Sequence, residues 1–321
     1  MVDNKLRNKV AILNPYKSVI KSFDVEDNKY LVGIKNVESI PNTIMKKLEN
    51  YNYMLHTLDK KSQLAGRAVD TELINPISGK YMSGSSSGTA INVFSGINHF
   101  GIGADGGGSV LAPAISLNII GFISKLLPIN NTQLKKNTDN IIATNSVGFM
   151  SKNIDIIYDA INIILGIKPS CDTDIKVVSD KKYDNVTSQV IEIMDPLTSR
   201  EKLTKYLSDI LKDTDVFVIT EGPIDLDGFG DSLFGHFDER TKEIQNKSNK
   251  GYVRVCNIAN ATALCIPQKE LGVSILLMCD SVEDKIAKLL KIAEKFEVVK
   301  DPLIERYFGD LNNYFSKGYI I

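Results

Sequence analysis

Residues 83–113 read SGSSSGTAINVFSGINHFGIGADGGGSVLAP and contain two clusters of glycine and serine, 83–88 and 101–109. The residues between the clusters, and those that follow at 111–120, are mostly small and apolar. Glycine loses much conformational freedom on folding, so a folded protein keeps it where the backbone takes unusual dihedral angles or approaches another atom closely. The apolar neighbours argue against a flexible Gly/Ser linker. We therefore expect two ordered loops around a buried segment.

Serine hydroxyls in such loops stand beside bare backbone N–H groups. This combination suits acyl transfer, because a nucleophilic oxygen lies next to donors that can hold an oxyanion. A nucleotide-binding loop is the alternative, since Gly101, Gly103 and Gly106 match the fingerprint G-x-G-x-x-G. That fingerprint needs a helix to begin at its third glycine, but further glycines and Pro113 follow there. It also needs an acidic residue about twenty positions later, and residues 106–138 contain no aspartate or glutamate. We therefore expect no cofactor site.

The two clusters resemble the motifs of the amidase signature family, G-G-S-S-G-G-S and G-T-D-x-G-G-S-x-R-x-P-A. Residues 83–89 correspond to the first motif and residues 103–114 to the second. The resemblance implies a Ser-Ser-Lys triad with Ser109 as nucleophile and Ser85 as the bridging serine on a cis peptide. The separation of the two serines, 109 − 85 = 24 residues, agrees with the usual spacing of the family.

The family's lysine lies in a short upstream strand of pattern V-x-V-K-D, which residues 31–36 (LVGIKN) resemble, so Lys35 is the predicted base. A catalytic lysine must lose its proton, and burial beside neutral hydroxyls lowers a lysine pKa. The rival lysines are Lys60, Lys61 and Lys80, which are nearer to the first serine motif but belong to polar, loop-like stretches.

The second motif also implies roles for the residues around Ser109. The backbone N–H groups predicted to hold the oxyanion belong to Gly106, Gly107, Gly108 and Ser109 itself. Asp105 is expected to brace the loop, and Ser86 and Ser87 to form hydrogen bonds within it. The sequence departs from the family in two ways: Leu111 replaces the usual arginine, and only 50 residues separate Lys35 from Ser85.

The remaining chain alternates between strand and helix patterns. Strands are predicted at 10–13, 30–34, 53–58 and 215–220, and helices after Pro41, at 153–165, at 199–212 and after a capping Ser281. Residues 257–267 resemble the family's N-L-A-G-L-P-A-I-S-V-P, and 222–235 form a Gly/Asp-rich loop expected to wall the pocket. The resemblance covers most of the chain. It predicts one α/β domain over residues 1–321, with a mixed central sheet flanked by helices on both faces.

Composition limits the classes of function. The chain has 321 residues, 43% of them hydrophobic, and a formal net charge of −1, so it carries no electrostatic footprint for nucleic acid or a membrane surface. It has neither an apolar run long enough to span a membrane nor a signal peptide, and we expect a soluble, cytoplasmic protein. Its four cysteines form no C-x-x-C pair and its three histidines are scattered, so we expect no metal site.

These observations predict an amidase that hydrolyses a linear carboxamide through an acyl-enzyme, without cofactor or metal. The expected binding partner is a small amide or acyl-amino substrate. The sequence also allows a homo-oligomer or a complex with a biosynthetic partner protein. Two alternatives remain at this point. One is an amide-cleaving subunit of a complex, as in the tRNA-dependent amidotransferase of this family. The other is an inactive binding or scaffold homologue, for which the replacement at Leu111 and the short chain argue.

Overall fold

The computed structural model describes residues 3–62, 67–130, 134–136, 139–231 and 233–315. Its strands are β1 (Val19–Ser22), β2 (Tyr30–Lys35), β3 (Tyr53–Asp59), β4 (Phe100–Asp105), β5 (Ile120–Ser124), β6 (Lys135–Lys136), β7 (Ile142–Ala143), β8 (Ser146–Ser151), β9 (Val177–Ser179), β10 (Gln189–Val190), β11 (Val216–Glu221), β12 (Ala261–Pro267) and β13 (Ser274–Asp280). Its α-helices are α1 (Asn4–Leu13), α2 (Asn42–Glu49), α3 (Ser87–Phe94), α4 (Leu111–Ser116), α5 (Ile154–Leu165), α6 (Arg200–Asp213), α7 (Glu239–Asn246), α8 (Glu283–Ala293) and α9 (Pro302–Ile304). Short 3-10 turns at Phe234–His236, Tyr252–Arg254 and Leu311–Tyr314 and a π-helical turn at Glu305–Gly309 complete the described elements.

Within these residues, eleven strands form one sheet in the order β1-β3-β2-β4-β8-β5-β12-β13-β11-β9-β10, and β6 pairs with β7 separately. Strand β2 runs parallel to both β3 and β4, and β9 runs parallel to β10 and β11. The other neighbours in the large sheet are antiparallel. The sheet is therefore mixed, as predicted.

The sheet separates two hydrophobic cores because successive strand side chains point to opposite faces. In β5, Phe122 packs into the core that contains α2, α5 and α8, whereas Ile123 packs into the core that contains α3, α4 and α6. Central strands such as β13 are apolar on both sides for this reason. The prediction of helices on both faces is confirmed.

Most predicted elements lie within a residue or two of their observed bounds. Strands β2 and β3, helix α2 after Pro41, and helices α5 and α6 all occur where the apolar periodicity placed them. The strand predicted at 10–13 is wrong: these residues end helix α1, whose start Asp3 caps by accepting from the N–H of Lys5. The capping role of Ser281 is also wrong, since α8 has Val282 as its N-cap and the hydroxyl of Ser281 donates to the carbonyl of Asn260.

Candidate active site

The ends of two neighbouring parallel strands position the first site residues. Lys35 is the last residue of β2, and Asp105 is the last residue of β4. Carboxyl ends of parallel strands meet at one edge of a sheet, which is where α/β proteins usually build their sites. Both serine clusters reach this edge, because Ser85 precedes helix α3 and Ser109 follows β4.

Lys35 is almost completely buried, with 4% of its surface exposed. Its ammonium nitrogen Nζ lies 2.6 Å from Ser85 Oγ and 3.2 Å from the carbonyl oxygen of Ala104. The structure thus brings together a lysine and a serine that are 50 residues apart in sequence. The rival lysines have other contacts: Lys60 forms an ion pair with Asp70 at 3.4 Å, and Lys80 donates to the carbonyl of Leu226.

The two serine loops touch each other through their backbones. The N–H of Ser86 donates to the carbonyl of Ser109 at 3.2 Å. Gly84 has a φ of +98°, and a Cβ placed there would lie 2.7 Å from Pro113 Cδ and 3.2 Å from Ser109 Cα, so only glycine allows this approach. In the described residues no hydrogen bond joins the Oγ atoms of Ser85 and Ser109; apo sites often lack such a bond.

The cis peptide expected at Ser85 does not occur. In the described chain the cis peptide bond is Gly222–Pro223 instead. Gly84, the residue before Ser85, has a positive φ of +98°. Of the two neighbouring serines expected to form hydrogen bonds, Ser86 does so, because its Oγ donates to the carbonyl of Ala104. Ser87 does not, since its Oγ is buried without a partner in the described chain.

Asp105 holds the loop that carries Ser109. Its buried carboxylate accepts from the N–H of Gly108 at 2.7 Å and from the N–H of Val110 at 2.6 Å. The N–H of Gly108 is therefore directed to Asp105, and the prediction of this group as an oxyanion donor is corrected. The N–H groups of Gly106, Gly107 and Ser109 have no hydrogen-bond acceptor among the described residues and face no such competition.

Asn257 is a loop support that the sequence did not single out by itself. Its amide donates to the carbonyl of Gly106 at 3.0 Å and to that of Thr144 at 2.9 Å, and its oxygen accepts from Ser146. The signal in the sequence was its place at the start of the family-like 257–267 stretch. Asn257 thus fixes the other side of the loop that Asp105 holds.

Glu221 supports a second loop near Ser109. This buried carboxylate, at the end of β11, accepts from the N–H groups of Gly251 at 2.6 Å and Tyr252 at 3.0 Å. Burial raises its pKa to about 7, although these donors oppose the rise. The turn that it holds packs on the loop that carries Ser109, because a Cβ at Gly108 would lie 3.1 Å from the carbonyl oxygen of Val253.

A cavity of about 270 Å³ opens beside Ser109. Its lining residues are Ala68, Gly106, Gly107, Ser109, Lys136, Leu197, Arg200, Gly230, Gln245, Asn246, Ser248, Lys250 and Arg254. Gly230 comes from the Gly/Asp-rich loop that was expected to wall the pocket. The cationic residues come from segments to which the sequence assigned no role.

Leu111 lies where the family motif has arginine. It is 0% exposed and belongs to the core that contains α3, α4 and α6. The change therefore converts a polar position into core packing behind the site, and it leaves the contacts of Lys35 and Ser85 intact.

Among the described residues, no helix is long and apolar enough to cross a membrane, and no three metal-ligating side chains form a group.

Comparisons with known proteins agree with this architecture. The model of the Amidase family matches residues 71–194. A glutamyl-tRNA(Gln) amidotransferase subunit from Thermotoga maritima is similar in structure, with a TM-score of 0.60 at 13% identity over 91% of each chain. A bacterial aryl acylamidase of the amidase signature enzymes has a TM-score of 0.61 at 12% identity, over 97% of this chain and 95% of its own.

The structure of 6-aminohexanoate cyclic dimer hydrolase is also similar, with a TM-score of 0.64 at 10% identity over 94% of each chain. No curated protein matches the sequence. The fold, the two serine motifs and the family match define one class of protein. In its fold, and over residues 71–194 in its sequence, the chain is similar to enzymes of the amidase signature family.

Proposed function

We propose that this protein is an amidase that cleaves a carboxamide C–N bond through an acyl-enzyme on Ser109. The observation that carries the proposal is the 2.6 Å contact between Lys35 Nζ and Ser85 Oγ, which links a buried lysine to the serine loop that touches Ser109. The match of the Amidase family model to residues 71–194 supports the reaction class. The chemistry matches as well, since a hydroxyl becomes a competent nucleophile when a neighbouring base takes its proton.

The reaction would run in two halves with Lys35 neutral at the start. Ser109 Oγ attacks the carbonyl carbon, its proton passes to Ser85 Oγ, and the proton of Ser85 passes to Lys35 Nζ. Collapse of the tetrahedral intermediate breaks the C–N bond, and the proton returns through Ser85 to the leaving nitrogen. Water then attacks the ester by the same relay, which releases the acid and restores the Ser109 hydroxyl.

The oxyanion would be held by backbone donors. The N–H groups of Gly106, Gly107 and Ser109 are the candidates, because Asp105 already engages the N–H of Gly108. One such donor typically contributes about 3–4 kcal/mol to transition-state stabilisation. The carbonyl of Ala104 accepts from Lys35 Nζ and so helps to orient the amine toward Ser85.

A serine-directed fluorophosphonate tests the assignment directly. It should label the wild-type protein at Ser109, and Ser109→Ala should lose both labelling and turnover of a panel of linear and cyclic amides. Ser87→Ala is the matched control, since this buried serine has no hydrogen-bond partner in the described chain and should keep both. Labelling at another residue would contradict the proposal.

The same panel should contain glutamine, assayed with and without proteins that co-purify. Turnover by the isolated chain indicates a free-standing amidase. Glutamine turnover that requires a second protein would instead indicate an amidotransferase-type subunit. A folded protein that neither reacts with the fluorophosphonate nor turns over any amide would be the inactive homologue.

A further inference from the structure

The cavity beside Ser109 has a positively charged lining. Four of its lining residues are cationic, namely Lys136, Arg200, Lys250 and Arg254, and no aspartate or glutamate is among the described residues that line it. The whole chain, by contrast, has a formal net charge of −1. The lining of the cavity is therefore more positive than the chain as a whole. We call Arg200, Lys250 and Arg254 the cationic cluster.

Within the described chain, one direct ion pair involves this cluster. Arg200 Nη1 lies 2.6 Å from Asp139 Oδ2, but no carboxylate of the described chain lies within 4.0 Å of the side-chain nitrogens of Lys250 or Arg254. Arg254 Nη2 donates to the neutral carbonyls of Pro196, at 2.7 Å, and Thr198. The described chain thus supplies one ion-paired carboxylate for three cations.

The cluster also has unused hydrogen-bonding capacity. The Nε atoms of Arg200 and Arg254 are buried and have no partner in the described residues. Lys250 makes no hydrogen bond within them, and its stem packs over Gly230, where a Cβ would lie 2.6 Å from Lys250 Cδ. A buried donor without an acceptor destabilises the folded protein. An anion in the cavity would supply the acceptor that Lys250 lacks in the described chain.

The electrostatics favour an anion in the same place. Burial lowers the pKa of Lys250 to about 8; the charge of Asp225 opposes this shift, and that of Arg200 adds to it. Helix α6 begins at Arg200, and its N-cap Ser199 makes no side-chain hydrogen bond to it. Because Leu197 and Arg200 both line the cavity, the positive end of the helix dipole lies at its wall.

We propose that the cationic cluster binds a carboxylate of the substrate, so that the hydrolysed compound is a small amide bearing one carboxylate. This inference rests on the proposed amidase activity. Arginine suits it because its planar fork binds carboxylate through two hydrogen bonds. The cavity of about 270 Å³ fits a short molecule, such as the half-amide of a small dicarboxylic acid. Hydrolysis would then release ammonia and the dicarboxylate.

Three amides of equal chain length test the charge preference: succinamate is anionic, butyramide neutral and 3-aminopropanamide cationic. We expect kcat/KM for succinamate to exceed that for butyramide by about 10- to 100-fold, with the cationic amide poorest. Lys250→Met should lower the succinamate-to-butyramide ratio about tenfold, and Lys250→Arg should retain most of it. Lys242→Met, which alters an exposed lysine outside the cavity, should leave the ratio unchanged.

Calorimetric binding of succinamate to Ser109→Ala separates this inference from the proposed function. Binding that depends on Lys250, with no turnover by the wild-type protein, would retain the anion site and refute the amidase. Equal turnover of succinamate and butyramide, or a ratio unchanged in a folded Lys250→Met variant, would overturn the anion site and retain the amidase. Failure of succinamate both to bind and to react would overturn the inference as well.

Discussion

Substitution of Asp105 by asparagine tests how the reactive loop is held. The carboxylate accepts from the N–H of Gly108 through one oxygen, and from those of Val110 and Leu111 through the other, at 2.7, 2.6 and 3.4 Å respectively. Asparagine has the same shape but only one acceptor oxygen. Of the two possible orientations of the side-chain amide, the one that keeps more hydrogen bonds directs the oxygen toward the N–H groups of Val110 and Leu111. The NH₂ group then points toward the N–H of Gly108. Two donors then face each other directly beside Ser109.

The size of the effect follows from these contacts. Hydrogen bonds to a charged group contribute about 1.5–3 kcal/mol each, and the N–H of Gly108 would lose its bond without gaining water. The bonds of Val110 and Leu111 would weaken because their acceptor becomes neutral. We expect Asp105→Asn to lower the free energy of unfolding by about 2–4 kcal/mol. Rotation of the Gly106–Ser109 backbone should also misplace oxyanion donors, each typically contributing about 3–4 kcal/mol, so kcat should fall by at least about 100-fold.

Urea denaturation and turnover of a reactive amide measure the two effects separately. Asp70→Asn is the control, because this buried aspartate also holds a turn: one of its oxygens accepts from the N–H groups of Glu72 and Leu73 and pairs with Lys60. Its turn carries none of the proposed catalytic residues, so this variant should lose stability but keep kcat. A wild-type kcat in Asp105→Asn, or an equal loss of kcat in Asp70→Asn, would refute the role given to the Asp105 carboxylate.

Three further substitutions test the surroundings of the site. Lys35→Ala should lower kcat/KM by about 10²- to 10⁴-fold because it removes the proposed base, whereas Lys60→Ala and Lys80→Ala should keep most activity. The reverse pattern would assign the base to another lysine. Burial raises the pKa of Glu221 from 4.5 to about 7, so its contribution to stability is fully present below pH 4.5 and lost as pH rises through 7. The wild-type protein should therefore lose stability between about pH 5 and pH 8 through this group, and Glu221→Gln should not. In urea titrations, the unfolding free energy of Glu221→Gln minus that of the wild type should rise over this range, and a pH-independent difference would contradict the raised pKa. Leu111→Arg introduces the residue of the family motif and should lower the free energy of unfolding by about 3–5 kcal/mol, because it leaves an unpaired charge in the core. Unchanged stability in urea denaturation would contradict the placement of this side chain in a closed core.

The sequence predicted the site best where chemistry and local structure coincide. Lys35 ends an apolar strand, and Gly84 permits the close backbone approach between the Ser85 loop and Ser109. It failed at 10–13, because a four-residue apolar run fits a strand or the end of a helix equally well. It also could not give the direction of the Gly108 N–H, which depends on the position of the Asp105 carboxylate.

The cationic part of the cavity lining could not be predicted from the sequence, for a different reason. Arg200 opens a helix whose pattern was recognised, and Lys250 and Arg254 lie in an irregular segment, yet each reads as an ordinary exposed cation by itself. Only the tertiary fold brings these three side chains to Ser109. Specificity residues of this kind come from separate segments, so no local motif encodes them.

Three buried polar side chains explain how a glycine-rich loop can be rigid enough for catalysis. Asp105 fixes the N–H of Gly108 and Asn257 fixes the carbonyl of Gly106, while Glu221 holds the turn whose Val253 carbonyl packs on Gly108. Hydrogen bonds in a low-dielectric interior are strong, and an unpaired buried group is costly, so each anchor permits few alternative loop geometries. Because the anchors hold backbone that carries the proposed oxyanion donors, weakening one should lower kcat more than it raises KM.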